Sequence, residues 1–367
     1  MSLHVSGAAA AYRLLDVGYS ISLERARELL AESAPERVRL VRGEAAAVQI
    51  RNAPLSVVLG AERIRLAGRE CDAEIAARIF DFGVVSLRLI VDAPASSSWE
   101  HYAAFGRAVD GEPRLQGVLE ERAHRLFERI RPAIDRPGIA PVREDYVVFR
   151  IHSVRRETGE PVDPTRFVGE IDVAPLLLNE TRALHAEATS LLQRRFSYYA
   201  DDLALLTWDN ALVIDPVIGP TDVELILEFA NAQLLELRYY DAVLDEELRK
   251  LFDRVQTFRR RRMPRFSRRY SDLLGDIQRL FADSTELVER VENALKVTDD
   301  VFLARVYSAA LEIFRERAWR DGVYRKLTLV RESYEMLNAE SQASRSEALE
   351  VAIVLLIVGE ILLAFIR

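Results

Sequence analysis

Ile79-Phe-Asp-Phe-Gly-Val-Val-Ser-Leu-Arg-Leu-Ile-Val91 is the stretch on which the fold class turns. Aliphatic and aromatic residues dominate it, its apolar positions do not recur at helical spacing, and Pro94 with a serine run closes it. It reads as a strand. Toward the N-terminus, Ala11–Val17 reads as a further strand, and Ser22 is placed to cap a helix from Leu23 to about Ser33. Val38–Val41, Ala47–Ile50, Leu55–Leu59 and Arg63–Leu66 read as short strands divided by Gly43, Pro54 and Gly60. Toward the C-terminus come helices over Ser98–Val109 and Arg114–Ile130, bounded by Pro113 and Pro132. Tyr146–Val154, Phe196–Thr207 and Ala211–Ile214 read as strands, the last leading into Asp215-Pro216. Residues 1–219 are thus expected to form an α+β domain.

After Gly219-Pro220 the pattern changes. Thr221 can cap a long helix whose apolar stripe runs through Val223, Ile226, Ala230, Leu234, Leu237, Tyr240, Leu244, Leu248, Leu251, Val255 and Phe258. Tyr270, Leu273, Ile277, Leu280, Leu287, Val291 and Leu295 predict a second helix. Asp299 or Asp300 can cap a third, with Val323, Leu327, Val330, Tyr334 and Leu337 on its stripe and Asp321-Gly322 as a place for a break. Residues 220–345 are expected to form a long antiparallel helical bundle or coiled coil.

The chain ends Ser346-Glu-Ala-Leu-Glu-Val-Ala-Ile-Val-Leu-Leu-Ile-Val-Gly-Glu-Ile-Leu-Leu-Ala-Phe-Ile-Arg367, with only Glu350 and Glu360 charged between Ala348 and Ile366. As a helix that segment spans roughly 28 Å, near the hydrocarbon thickness. The expectation is one C-terminal transmembrane helix, a tail anchor over residues 346–367. Glu350 and Glu360 lie about 80° apart around it at ~100° per residue, on one broad face. A carboxylate at that depth is expensive in lipid, so this face is expected to meet another helix rather than form an ion path. The fold class expected is α+β: a mixed α/β unit, then the long helical bundle, then one transmembrane helix.

Composition narrows the partners. The chain has 367 residues, 49% hydrophobic and 29% charged, enough for two compact units but too polar for a polytopic membrane protein. A net charge of -8 disfavours a nucleic-acid partner. Cys71 is the sole cysteine, so no internal disulfide forms. Met1–Tyr12 lacks the basic start of a signal peptide. The expected address is therefore a bacterial inner, cytoplasmic membrane with the N-terminal domain in the cytoplasm.

The densest charge is Arg259, Arg260, Arg261, Arg262 and Arg265, with Arg268 and Arg269, around Pro264. It reads either as a turn facing anionic lipid or as a solvated turn. Asp81-Phe82-Gly83 matches the kinase magnesium motif in letters alone, and Gly83 there marks a bulge or a close backbone approach. The histidines show no metal spacing. Asp201, Asp202, Asp209, Asp215 and Asp222 read as loop and cap carboxylates in preference to a cation site. Glu236, Arg238, Asp241 and Asp245 on the first long helix read as an interdomain polar network tying that helix to the α+β domain. No catalytic residue, cofactor or metal is expected.

Ile79-Phe-Asp-Phe-Gly-Val-Val85, Leu235-Glu-Leu-Arg-Tyr-Tyr-Asp-Ala-Val-Leu-Asp245 and the tail from Leu349-Glu350 to Gly359-Glu360-Ile361 resemble the YagE, or "required for meiotic nuclear division", family. The resemblance implies a membrane-tethered, homo-oligomeric protein, one of whose eukaryotic relatives is linked to organellar translation. It brings no catalytic residues. The expected function is a membrane-anchored homo-oligomeric scaffold with an unidentified protein partner. The alternative is an ion-transport accessory or channel-like oligomer with a cytoplasmic α/β domain.

Overall fold

The computed structural model describes residues 3–38, 52–66, 68–180, 185, 192, 194–260, 272, 274–279, 282 and 300–366. They divide into two compact units, Met1–Tyr239 with Ala294–Arg317, and Tyr240–Asn293 with Ala318–Arg367.

The first unit is built on one large sheet. Its strands in chain order are β1 (Leu3–Asp16), β2 (Ser20–Ile21), β3 (Glu36–Arg37), β4 (Leu55–Leu66), β5 (Arg69–Ile79) and β6 (Val84–Asp92). Then follow β7 (Ser97–Ser98), β8 (Ile134–Asp135), β9 (Arg143–Arg156), β10 (Arg195–Phe196), β11 (Leu203–Leu206) and β12 (Asn210–Ile214). The sheet order is β10-β11-β12-β9-β1-β6-β5-β4-β3, with β7 added to β1 and β2–β8 as a separate pair. All pairings are antiparallel except β12 with β9.

Alternation along the strands gives the sheet two unlike faces. One carries Ala9, Ala11, Leu15, Ile75, Leu87, Leu89, Phe149 and Ile151 and is apolar except at its Arg13–Asp145 end. The helices Trp99–Asp110 and Pro113–Ile130 cover it. The second buries Leu115, Leu119, Ala123, Leu126 and Ile130 on a single stripe, and Pro113 at its first turn costs no hydrogen bond there. The other face carries Tyr12, Arg78, Ser86, Arg88, Tyr146 and Arg150, all buried. Against it lies the start of the helix Asp222–Arg260, opened by a reciprocal cap: Glu224 N–H donates to Thr221 Oγ1 and Thr221 N–H to Glu224 Oε1, each at 3.3 Å. Residues 222–237 of this helix are buried on every side.

In the second unit, Leu244, Leu248, Ile277, Val323, Leu327, Val330 and Leu337 form one apolar cluster. Beside it Lys326 Nζ bridges Asp241 Oδ1 and Asp245 Oδ1, at 2.7 Å each.

Several expectations are corrected. Ile79–Val91 is the end of one strand, a turn and a second strand. Phe80 N–H donates to Val84 O at 2.9 Å, and Gly83 takes φ +102°, which only glycine adopts freely. A Cβ at Gly83 would also strike the Gly18 carbonyl oxygen, so the close approach is real. Leu55–Leu59 and Arg63–Leu66 are one strand, β4, whose register shifts between Val58 and Gly60. The third helix is not broken at Asp321-Gly322. Asp300 caps Val301–Ile313, Arg315 at φ +52° ends that run, and a new helix continues as Glu316–Ile366. The strand expected at Ala47–Ile50 and most of Val38–Val41 lie outside the described residues.

The largest correction concerns the tail. Among the described residues no helix is long and apolar enough to cross a membrane. The transmembrane helix, tail anchor, membrane partner and inner-membrane address expected from sequence are therefore not supported.

Candidate functional site

The helix Asp222–Arg260 begins inside the protein yet brings Glu224, Glu228, Asn231, Gln233 and Glu236 with it. Buried charge must be paired or neutralised, and the polar sheet face supplies the partners. Glu224 Oε2 accepts Arg150 Nε at 2.7 Å and Tyr12 Oη at 3.0 Å. Arg78 pairs with Glu228, and Tyr307 Oη donates to Gln233. Burial lifts the Tyr12 phenol well above its ordinary range, with Glu224 adding to it. Burial alone would lower Arg150, but Glu224 and Tyr12 outweigh it and hold the guanidinium above its usual value.

Arg88 is the exception. It is 7% exposed, and its Nε and Nη1 have no hydrogen-bond partner among the described residues. Burial and then Arg78 lower its pKa. Ser86 Oγ and Arg78 Nε, on the same face, are also unbonded. Three buried arginines thus face two buried glutamates.

Farther along the same helix, Glu236 hydrogen-bonds Asp16, whose carboxyl burial pushes up to about 7. Arg238 pairs with Glu144, also pushed up to about 7 by burial against the pull of Arg238. Asp241 and Asp245 bond Lys326 instead, within the second unit. Of the four residues singled out on this helix, Glu236 and Arg238 thus pair within the first unit, and Asp241 and Asp245 share Lys326 in the second. Glu350 is exposed, while the Glu360 side chain lies outside what is described. Arg259 and Arg260 are helical in backbone with undescribed side chains, and Arg261, Arg262, Arg265, Arg268 and Arg269 lie outside the described residues.

One open cavity of about 440 Å³ enters the first unit. Four segments meet there: Asp110 at the end of one helix and Gln116 on the next, Asp145–Val147 at the start of β9, Leu177–Asn179, and the Thr207–Asn210 turn between β11 and β12. Parallel pairing sets Asn210 beside Val147, which brings the turn against β9. Three carboxylates line the cavity, with no Lys, Arg or His among the lining residues. Arg13 neutralises Asp145 through Nε and Nη2, each 2.8 Å from a carboxylate oxygen. Among the described residues Asp110 accepts only the Asn179 amide, at 3.0 Å. Asp209 has no side-chain partner among the described residues. Burial raises both Asp110 and Asp209, and the charge of Asp209 raises Asp110 further. Trp208 is exposed at the rim. Among the described residues no group of three His, Cys, Asp or Glu is placed to hold a metal ion.

Of this cavity only Asp209 stood out in the sequence, within a loose acidic set. Two others of that set bond nearby backbone: Asp202 Oδ1 accepts the Tyr198 N–H at 2.7 Å and Asp215 Oδ1 the Val217 N–H at 2.9 Å. The buried charge layer went unread, although a signal existed. Ser86 and Arg88 interrupt one apolar strand two residues apart and Arg78 interrupts another, while Glu224 and Glu228 sit four apart on a helix.

Residues 6–221 match the protein family described as "Uncharacterized protein MJ0711, N-terminal domain". This chain belongs to that family. The match covers the whole sheet from within β1 to β12 and stops as the long helix begins. A relative, an uncharacterized protein of Methanocaldococcus jannaschii, is 28% identical over 212 residues, which is 57% of this chain and 64% of the relative. The chain thus spans less than two thirds of that relative. No solved structure matches the chain. The family has no assigned activity, and membership in the YagE family is not established by these matches.

Proposed function

We propose that this chain is a self-assembling interaction protein whose C-terminal helix associates with the same helix of a second copy. One observation carries this reading. Val351–Val358 is apolar around the whole helix and exposed throughout, with Leu356 at 71%. A helix that is apolar all round is normally enclosed. Register names the occupant. Val323, Leu327, Val330, Tyr334 and Leu337 recur at four and three, the spacing of a coiled-coil seam, and are already packed. Counting on by four and three passes Ser341, Ser344 and Ala348 and reaches Val351, Leu355 and Val358. The exposed run therefore extends a seam this chain already uses between its own helices.

Size-exclusion chromatography with light scattering tests this. The full chain is expected to be dimeric or larger. Val351→Ser, Leu355→Ser and Val358→Ser together should give monomer, while Ile353→Ser with Ile357→Ser, off the seam, should not. A wild-type chain that stays monomeric as concentration rises removes the proposal. The finer resemblance to the YagE family supports the same reading: a scaffold that positions a protein partner, as the translation-linked eukaryotic relative suggests.

A further inference from the structure

The open cavity of the first unit involves none of the residues of the proposed assembly seam. We infer that it binds a small organic cation, an ammonium or guanidinium group on a compact frame, between Asp110 and Asp209. Its volume of about 440 Å³ falls within the ordinary range for small-molecule pockets. Its wall carries three carboxylates and no cationic side chain. The charge of Asp209 adds to burial in raising Asp110, and no Lys, Arg or His lines the cavity. A cation seated between them removes that repulsion. Gln116 adds a buried Oε1 that no donor reaches. Trp208 lies at the rim with the Arg315 guanidinium already 5.8 Å over its ring.

A second observation, independent of the acids, also points to a ligand. Asn210 lines the cavity and is only 3% exposed, yet its Nδ2 has no partner among the described residues. Its Oδ1 lies 2.9 Å from Thr207 Oγ1, which is also 2.8 Å from the Asn210 carbonyl oxygen. One hydroxyl proton serves both acceptors, so Oδ1 keeps capacity to accept from a ligand. The free Nδ2 suits a hydroxyl or carbonyl oxygen on the same ligand. A cation with a neighbouring carbonyl, as in an amino-acid amide, matches the donors and acceptors present.

Isothermal calorimetry on the full chain with argininamide, agmatine and succinate tests this. Argininamide and agmatine should bind saturably and succinate should not. Asp209→Asn and Asp110→Asn should each weaken argininamide by about tenfold or more. Asp201→Asn, outside the cavity, should leave it unchanged. Asp209 is exposed, so its variant is expected to keep a native circular dichroism spectrum. Binding that survives Asp209→Asn, succinate binding as tightly as the cations, or no saturable binding by either cation would overturn the site.

Discussion

Arg88 poses the sharpest question at the scale of a single residue. Its guanidinium is buried beside Arg78, and Glu228 and Glu224 are hydrogen-bonded to Arg78 and Arg150 rather than to it, leaving Glu228 Oε1 unbonded among the described residues. An uncompensated buried charge works against folding, whereas removing one member of a satisfied buried pair strands the other. Arg88→Met should therefore stabilise the first unit by roughly 1–4 kcal/mol, and Arg150→Met should destabilise it by roughly 3–5 kcal/mol. Urea unfolding midpoints distinguish the two, and a loss of stability in Arg88→Met would show that Arg88 is held by a partner. Asp16 makes a pH-dependent prediction. Burial raises its carboxyl from 3.8 to about 7, with Glu236 hydrogen-bonded to it. Between about pH 4 and 7 the folded chain therefore keeps a proton that the unfolded chain releases. The stabilisation is fully present below pH 4 and is lost as pH rises through 7. Asp16→Asn keeps a neutral group at all pH values, so it should gain stability relative to the parent between pH 5 and pH 8. Equal slopes in urea melts across that range would rule this out. Glu144, raised to about 7 mainly by burial, contributes a remaining slope of the same sign.

Individual elements differ in how plainly the sequence announces them. Caps were legible because they are local: Ser22 accepts the Arg25 N–H and Asp300 the Leu303 N–H, as their positions before apolar periodicity implied. The helices Trp99–Asp110 and Pro113–Ile130 were legible because each buries one stripe against an apolar face. The hairpin at Phe80–Gly83 was not, since Ile79, Phe80, Phe82 and Val84 keep the run apolar through the turn and only Gly83 marks the reversal. The first long helix gave a correct stripe and a wrong implication. Its polar residues were read as a network only from Glu236 onward, whereas residues 222–237 are all enclosed, and arginines from strands far away in sequence meet Glu224 and Glu228. The cavity was least legible. Asp110, Asp145 and Asp209 share no local motif, and only the parallel pairing of β12 with β9 brings the last two into one wall.

The whole molecule joins two kinds of core. In the first unit both sheet faces are covered, so opening β1, β6 or β9 exposes an extended apolar layer together with the buried ion pairs. The described core of the second unit is one seam of side chains between helices, flanked by Lys326 and its two aspartates. Less buried apolar surface per residue means a lower free energy of local opening. Native-state hydrogen exchange should therefore show two levels. Amides around 244–250 and 323–337 should exchange through a partial opening, while those in the centres of β1 and β9 should exchange only on global unfolding. Leu327→Ala should cost about 2–5 kcal/mol in the first group, since it empties the seam. The same substitution should leave the β1 amides nearly unchanged. If β1 and β9 instead lose protection by the same amount, the units unfold as one, and the long helices transmit stability between seam and sheet rather than merely linking them.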